Sequence, residues 1–411
     1  MDKPRACHSS IAPTDLMFVG IDIGTSSVRC TAIDTSKKVI ASSRTNLPAP
    51  ENPQPGWFHQ EPQLWWQAVR HGLKDLSDQL PEKAIQSIAV DGTSSTVLLV
   101  DNNNQPVCNA LMYNDSRASK LSSELTGFIP VESITRSASS SLSKAIFLLQ
   151  DNATRQRARH IMHQADWINA MLTGNKGVGD ENNSLKLGYD SENQQWPDWL
   201  SNAPFELSYL LPVIVQSGTD IGAIDPAIAS EVGLPTGVRI IAGTTDSTAS
   251  TLATGISQPG EAVTTYGTTM VMKMISSSPV TSVQHGIYSH HLPNGFWLVG
   301  GASNSGGNVL EKFFSVKELD ELSSRIDIST SSGLEYYPLA GKGERFPVND
   351  AEFEPKLDPR PDSDVLFLQG IFEGFASIEK QAYQLITCFG APLPTKILTA
   401  GGKASENQAL T

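Results

Sequence analysis

The chain has 411 residues, a formal net charge of −13, and the apolar content and low charge density of an ordinary globular protein. This length allows two domains, because a single hydrophobic core rarely grows beyond about 250–300 residues. The acidic balance argues against nucleic acid or an anionic membrane surface as a partner, since both carry negative charge. No apolar run in the sequence reaches the roughly 18–20 residues of a membrane helix.

Four scattered cysteines, Cys7, Cys30, Cys108 and Cys388, show no C-x-x-C spacing, and the eight histidines show no metal-ligand spacing. This predicts reduced thiols in an intracellular protein, with neither a disulfide framework nor a zinc site. The first 16 residues are polar and lack the apolar core of a signal peptide. We therefore expect a disordered leader and a cytoplasmic protein; the alternative is a short remnant of a chloroplast transit segment.

The first apolar strand ends at a turn of small residues, Asp22-Ile23-Gly24-Thr25, and a second strand follows from Val28. Glycine in such a turn lets backbone N–H groups approach phosphate oxygens. A carboxylate just before it can hold magnesium through water. The alternative is an ordinary hairpin, in which Asp-x-Gly turns are common.

The second half of the chain repeats this pattern: residues 261–273 read as a strand, a Gly267-Thr268-Thr269 turn and another strand. Each copy is followed by further short strands. The repetition predicts two similar domains, each opening on a β-hairpin whose turn faces a shared cleft. One nucleotide phosphate chain could then be held from both sides.

Periodicity and turn residues predict the other elements. Helices are expected over residues 63–80, 141–150, 154–161, 165–172 and 365–389. Strands are expected over residues 85–90, 96–100, 240–242 and 396–400. Gly306 and Gly307 lie between a strand and a helix expected to run to Phe314, where free helical N–H groups could bind an anion or ribose. Pro259-Gly260 indicates the domain joint.

Seven motifs of the chain resemble the FGGY carbohydrate kinase family, of the actin/sugar-kinase ATPase superfamily, in order and spacing. They lie at residues 22–25, 56–62, 91–94, 113–115, 243–246, 267–269 and 401–402. Five further runs look like the D-ribulose kinase branch of that family, which includes plant xylulose kinase-like members. These runs lie at residues 163–167, 185–189, 288–290, 300–304 and 344–347.

The resemblance implies an α/β fold of two ribonuclease H-like domains flanking a catalytic cleft. Residues 17–257 would bind the sugar and supply the base, and residues 258–411 would bind the nucleotide. The implied reaction transfers the ATP γ-phosphoryl group to a ketopentose with Mg²⁺ as cofactor, D-ribulose being the preferred substrate and D-xylulose or another pentulose or polyol the alternative. We expect a monomer or homodimer with neither nucleic acid nor membrane as partner.

The resemblance also implies roles for individual residues. Asp246 would be the general base, although an Asp before Ser-Thr-Ala also suits a helix N-cap. Asp22 would orient magnesium, and Thr25, beside Gly24, would contact the γ-phosphate. Gly267, Thr268 and Thr269 would face the same phosphates, with Gly306 and Gly307 nearby.

Asp91 and Ser94 end a buried strand among small neighbours, which suits hydrogen bonds to sugar hydroxyls; a purely structural Asp in a turn is the alternative. The segment with Trp57 and His59 either borders the sugar or simply precedes the first helix. His163, Asp166 and Trp167 are expected to pack in the interior.

The adenine loop of the family would correspond to Gly401, Gly402 and Asn407. Here Lys403 replaces the third glycine of the family's pattern, and the spacing to Asn407 is longer. The chain stops at Thr411, so we expect the second domain to lack its last strand partners. These departures leave a second hypothesis open, a degenerate or truncated kinase homologue that binds sugar or a partner without turnover.

Overall fold

The computed structural model describes residues 16–80, 85–401, 407 and 409. The chain divides into two compact units, Met1–Ala249 (unit 1) and Ser250–Thr411 (unit 2). This division lies earlier in the chain than the joint predicted at Pro259-Gly260. The assignment of sugar binding to the first domain and nucleotide binding to the second stays a prediction.

Unit 1 is built from short strands and helices. Its strands are β1 (Met17–Ile23), β2 (Ser27–Asp34), β3 (Val39–Asn46), β4 (His59–Gln60), β5 (Ile85–Gly92), β6 (Val97–Val100), β7 (Ala110–Leu111), β8 (His160–His163), β9 (Val178–Asp180), β10 (Val213–Val215), β11 (Asp220–Ala223) and β12 (Arg239–Thr245). Its helices are α1 (Pro62–Ser77), α2 (Ser119–Glu124), α3 (Ser141–Leu149), α4 (Asn152–Arg157), α5 (Gln164–Thr173), α6 (Glu181–Ser184), α7 (Pro226–Val232) and α8 (Asp246–Ala253), whose last residues belong to unit 2.

The main sheet of unit 1 has six strands in the order β11-β12-β5-β1-β2-β3. Strands β12, β5 and β1 are mutually parallel, while β1, β2 and β3 form an antiparallel meander. A second sheet has the order β4-β7-β6-β8. The three parallel strands end at one edge of the main sheet, which places the polar residues that follow them close together.

Unit 2 repeats this plan. Its elements are β13 (Glu261–Tyr266), β14 (Met270–Ser276), β15 (Tyr288–His291), β16 (Trp297–Ala302), β17 (Lys396–Ala400), α9 (Gly307–Leu310), α10 (Val316–Ser323) and α11 (Asp364–Cys388). The sheet order is β15-β16-β14-β13-β17, with β13 antiparallel to β14 and parallel to β17. The first strand of each unit thus pairs with its hairpin partner on one side and with a later parallel strand on the other.

Each unit has its own hydrophobic core. In unit 1, Trp65 of α1 and Trp167 of α5 are both completely buried and meet edge to face, with ring centroids 6.2 Å apart. In unit 2, the buried face of α11, including Phe367 and Phe375, joins the core that covers β14 and β16. Among the described residues, no helix is long and apolar enough to cross a membrane.

Most predicted elements are found within a few residues of their expected ends. The helix predicted over 154–161 is wrong in its second half: α4 ends at Arg157, and β8 begins at His160. Ile161 and Met162 are fully buried, and β8 pairs antiparallel with β6. Tertiary pairing of this apolar segment prevails over its local helical pattern. The helix expected to reach Phe314 is also shorter, since α9 ends at Leu310.

Candidate functional site

Three carboxylates gather at the carboxyl edge of the main sheet of unit 1. Asp22 of β1 lies beside Asp91 of β5, and Asp91 lies beside Thr244 of β12 in the parallel register. Asp246 follows directly as the first residue of α8. The sheet order therefore brings together three residues that are far apart in the sequence and that the sequence analysis assigned to metal, sugar and base.

The three carboxylates, called the acidic cluster below, interact strongly. Burial, the charges of Asp22 and Asp246, and a hydrogen bond with Asp22 together raise the pKa of Asp91 to about 8. Asp91 therefore carries its proton at neutral pH. A neutral carboxyl group can donate a hydrogen bond, and a charged carboxylate can only accept one.

A close backbone approach just before Asp246 positions the third carboxylate. The register between β12 and β5 shifts between Ile241 and Thr244. A Cβ atom on Gly243 would lie 1.7 Å from the carbonyl oxygen of Val90, so only glycine fits between these strands. The chain beyond Gly243 then turns directly into α8.

Asp246, the first residue of α8, makes a local contact. The backbone N–H of Ser247 donates a 2.6 Å hydrogen bond to Asp246 Oδ1. This bond joins neighbouring residues and is not the N-cap bond, which would come from an N–H two or three residues on. The carboxylate can still favour the start of α8 through its charge and belong to the acidic cluster.

Sequence reasoning missed the support for Thr244. Asn182 Nδ2 donates hydrogen bonds of 3.0 Å to Thr244 Oγ1 and to Ser217 Oγ. Asn182 lies in the short helix α6, whose residues are all buried. An unusual run of polar residues, Asp-Glu-Asn-Asn-Ser at 180–184, was the only available signal.

The first phosphate turn is closed by a hydrogen bond of 3.0 Å from Gly24 N to Ser27 O. Asp22 Oδ2 also accepts a hydrogen bond of 2.9 Å from Arg29 Nη1, its register partner on β2. This ion pair is partly exposed to solvent, and Thr25 is half-buried. Asp22, the predicted magnesium residue, therefore has a cationic neighbour that its local sequence pattern did not indicate.

The oxygen donors of the acidic cluster suit Mg²⁺, which is bound partly by water and phosphate, better than a metal ion bound by protein side chains alone. Within the described ranges, no group of three or more His, Cys, Asp or Glu side chains is arranged to hold a metal ion. Mg²⁺ is commonly bound by one or two carboxylates, with water and substrate phosphates completing its shell. Asp22 and its neighbours offer such oxygen donors, and a cation would relieve their mutual repulsion.

The predicted nucleotide residues of unit 2 lie together. The turn between β13 and β14 is closed by a 3.1 Å hydrogen bond from Gly267 N to Thr269 O. The start of α9 packs on this turn, since Gly307 N donates to Gly267 O at 2.9 Å. A Cβ atom on Gly306 would lie 2.7 Å from Thr269 Cα, so the close contact requires glycine.

The late loop is only partly described. Gly401 follows β17 and lies against the backbone of Tyr266, the last residue of β13. Asn407 Nδ2 donates a 3.0 Å hydrogen bond to Ser323 Oγ, at the end of α10. Gly402 and Lys403 lie outside the described residues, so the predictions made for them stay untested.

Hydrogen bonds to a buried glutamine, Gln164, hold the turn that follows Asp91. Gln164 Oε1 accepts hydrogen bonds from Thr93 N (3.0 Å) and Thr93 Oγ1 (2.9 Å), and Gln164 is fully buried. Ser94 is half-buried at the tip of this turn, and Ser95 has a left-handed backbone with φ +77°.

The segment with Trp57 and His59 is tied to the 113–115 motif. The Arg117 guanidinium lies 4.4 Å from the centre of the Trp57 ring and 3.0 Å from His59 Nδ1. Buried Asp115 pairs with Arg117 at 2.8 Å and accepts a 2.6 Å hydrogen bond from Phe58 N. These contacts fix the segment; whether it borders a sugar stays a prediction.

His163, Asp166 and Trp167 are buried in the interior of unit 1, which was expected. Burial lowers the pKa of His163 to about 4, so its imidazole is neutral at physiological pH.

Comparison with known proteins identifies a family and relatives that this chain resembles. The profile of the FGGY family of carbohydrate kinases, N-terminal domain, matches residues 17–253. A xylulose kinase of Staphylococcus epidermidis is 25% identical over 357 residues, which cover 82% of this chain and 70% of that protein.

Two solved structures share the fold. The xylulose kinase from Rhodospirillum rubrum superposes with a TM-score of 0.84 at 21% identity, covering 96% of this chain and 83% of that one. Plasmodium falciparum glycerol kinase with ADP gives 0.83 at 17% identity, covering 96% and 83%. The predicted α/β sugar-kinase fold with two domains is confirmed.

Proposed function

Because the chain belongs to the FGGY family of carbohydrate kinases, an ATP-dependent sugar kinase family, we propose that its substrate is a ketopentose. The similarity to a xylulose kinase supports a ketopentose as the sugar, and the observation that carries transfer to a sugar hydroxyl is the acidic cluster. It combines a neutral carboxyl group with two further carboxylates at the edge of one sheet. Such a set can donate to a sugar hydroxyl and accept a proton from another.

Asp246 would accept the proton of the attacking sugar hydroxyl. At the same time the hydroxyl oxygen would bond to the γ-phosphorus of ATP, and the bond between that phosphorus and the β,γ-bridging oxygen would break, releasing ADP. A carboxylate is a weak base, so it assists only as the new bond forms, and its position matters most. Asp91, protonated at neutral pH, would donate a hydrogen bond to a sugar oxygen. Ser94 would contact a second hydroxyl.

Phosphate binding is proposed for the two Gly-Thr turns. Gly24 and Thr25 in unit 1, and the 267–269 turn with Gly306 and Gly307 in unit 2, would provide backbone N–H groups and hydroxyls. Asp22 would hold Mg²⁺, which neutralises phosphate charge in this class of reaction. The ADP named with the glycerol kinase structure supports a nucleotide as the co-substrate.

Two ketopentoses have separate support. The five runs that resemble the D-ribulose kinase branch favour D-ribulose. The similarity to a xylulose kinase of Staphylococcus epidermidis favours D-xylulose. The two sugars differ in the configuration of a single hydroxyl-bearing carbon, so hydrogen bonds from the 91–94 turn could distinguish them.

The test is an ADP-release assay with ATP, Mg²⁺ and a panel of D-ribulose, D-xylulose, L-ribulose, gluconate and glycerol. We expect a ketopentose to give the highest kcat/KM, with D-ribulose above D-xylulose. The assay is run on the 411-residue chain. If it releases no ADP in response to any sugar, the proposal is wrong and the non-catalytic hypothesis gains support.

A further inference from the structure

A lysine side chain lies completely inside unit 1, away from solvent. Lys144, on helix α3, is fully buried, and its ammonium group donates hydrogen bonds to Ser95 O (2.6 Å) and Met112 O (2.9 Å). Burial of a cation is costly, and it lowers the pKa of Lys144 to about 7. Buried Asp115 is the acidic group that opposes this shift. An aliphatic side chain would fill the space without that cost, so the two hydrogen bonds call for an explanation.

The first carbonyl acceptor belongs to the turn after Asp91. Ser95 adopts φ +77°, a conformation that residues other than glycine rarely take. Two contacts hold it there besides Lys144: Ser95 Oγ donates to Ser139 O at 2.9 Å and lies 3.2 Å from Ser141 Oγ. The neighbouring residue is Ser94, the proposed sugar contact.

The second carbonyl acceptor begins another segment of the same unit. Met112 immediately precedes the 113–115 motif, and Met112 N donates a 2.9 Å hydrogen bond to Phe58 O. Asp115, three residues on, binds Phe58 N and Arg117. One ammonium group therefore links the 91–95 turn to the segment that carries Trp57 and His59.

We infer that Lys144 is a positioning residue for sugar recognition: by binding Ser95 O and Met112 O, it fixes the 91–95 turn against the 112–117 segment. This inference rests on the proposed function, since it assumes that Asp91 and Ser94 contact the sugar. Lys144 acts through these residues and takes no part in phosphoryl transfer.

The test replaces Lys144 by Met, which has similar length and no donor. The steady-state KM is measured separately for the sugar that the wild type phosphorylates and for ATP. We expect the KM for sugar to rise at least tenfold, and the KM for ATP to change less than twofold. Lys144→Gln, which keeps a shorter donor, should recover part of the loss. Lys120→Met, at an exposed position on α2, is the matched control and should leave both constants unchanged.

A double-mutant cycle distinguishes positioning from general destabilisation. If Lys144 acts through the turn, Lys144→Met should add less than twofold to the KM for sugar in a Ser94→Ala background. If Lys144→Met does not fold, Lys144→Gln takes its place in the cycle. Unchanged sugar KM, equal rises in both KM values, or fully additive effects would overturn the inference while leaving the proposed function intact. A wild-type chain that phosphorylates no sugar would instead overturn the proposed function, and this inference with it.

Discussion

Asp246 has two roles that a single substitution can separate. Its Oδ1 accepts a hydrogen bond from Ser247 N at the start of α8, and its charge contributes to the acidic cluster. Asparagine keeps an oxygen that can accept the Ser247 hydrogen bond. It cannot accept a proton as a carboxylate does.

We therefore expect Asp246→Asn to lower kcat by about 10²–10⁴-fold, the usual contribution of a general base, while the melting temperature stays close to that of the wild type. Steady-state kinetics and thermal unfolding check the two parts. Asp225→Asn, which alters the N-cap of α7 in the same unit, is the control and should retain activity. Near-normal turnover of Asp246→Asn would remove this residue from the mechanism.

Asp91 makes stability depend on pH. An unfolded aspartic acid loses its proton near pH 4, whereas the folded state holds it up to about pH 8. Between these values the folded state binds more protons, so the free energy of unfolding falls as pH rises. Asp91→Asn removes this contribution.

We expect the Asp91→Asn variant to melt above the wild type at pH 8–9, by roughly 2–4 °C per kcal/mol regained, and the difference to shrink towards pH 5. Thermal unfolding across this range measures it. Melting curves whose difference does not change with pH would show that Asp91 is ionised in the folded state.

The edge of the main sheet depends on how its strands approach each other. Gly243 lies so close to Val90 O that any side chain would collide with the backbone of β5. Because backbone atoms cannot move aside, Gly243→Ala should separate β12 from β5 and displace Asp246. We expect a loss of about 1–3 kcal/mol or more of stability and a fall in kcat larger than the change in KM for ATP.

The matched control is Gly237→Ala, where a Cβ atom would meet nothing within 4 Å. Denaturant unfolding and kinetics of both variants complete the comparison. A Gly243→Ala protein as stable and active as the control would contradict the importance of this contact.

At the scale of secondary-structure elements, sequence patterns predicted the helices and strands far better than the contacts between them. Apolar runs bounded by glycine located β1, β5, β13 and β17, because these signals are local. The β8 segment was misassigned, because its pairing with β6 is not visible in its own residues. Asn182 and Lys144 were not recognised as supports, since their partners lie in distant strands and turns.

Over the whole molecule, the two units share one plan, but the proposed sugar contacts lie in unit 1, and the nucleotide contacts other than those of Asp22, Gly24 and Thr25 lie in unit 2. Hydrogen exchange can test this assignment without activity. We expect a bound ketopentose alone to slow amide exchange in residues 91–96, and ADP with Mg²⁺ alone to slow it in residues 267–269 and 306–308. Uniform protection of both units by either ligand would contradict the division of labour.

The repeat of the Gly-Thr hairpin was sufficient to predict the two-domain fold, because both copies are readable as strand, turn and strand. The acidic cluster was predicted only as separate residues. Its assembly requires β5 to lie between β1 and β12, and no local pattern encodes that order. The family resemblance implied the roles of the three carboxylates, and the sheet order showed that they lie close together.

The strand order also has a consequence for synthesis of the protein. β5 can pair with β1 early, but its other edge waits for β12, which ends at Thr245. Until the ribosome has released that segment, β5 offers an unpaired edge with the apolar side chains of Ile88 and Val90. The nascent chain is therefore exposed to misassociation during the long interval between these two strands, and the acidic cluster forms only when that interval ends.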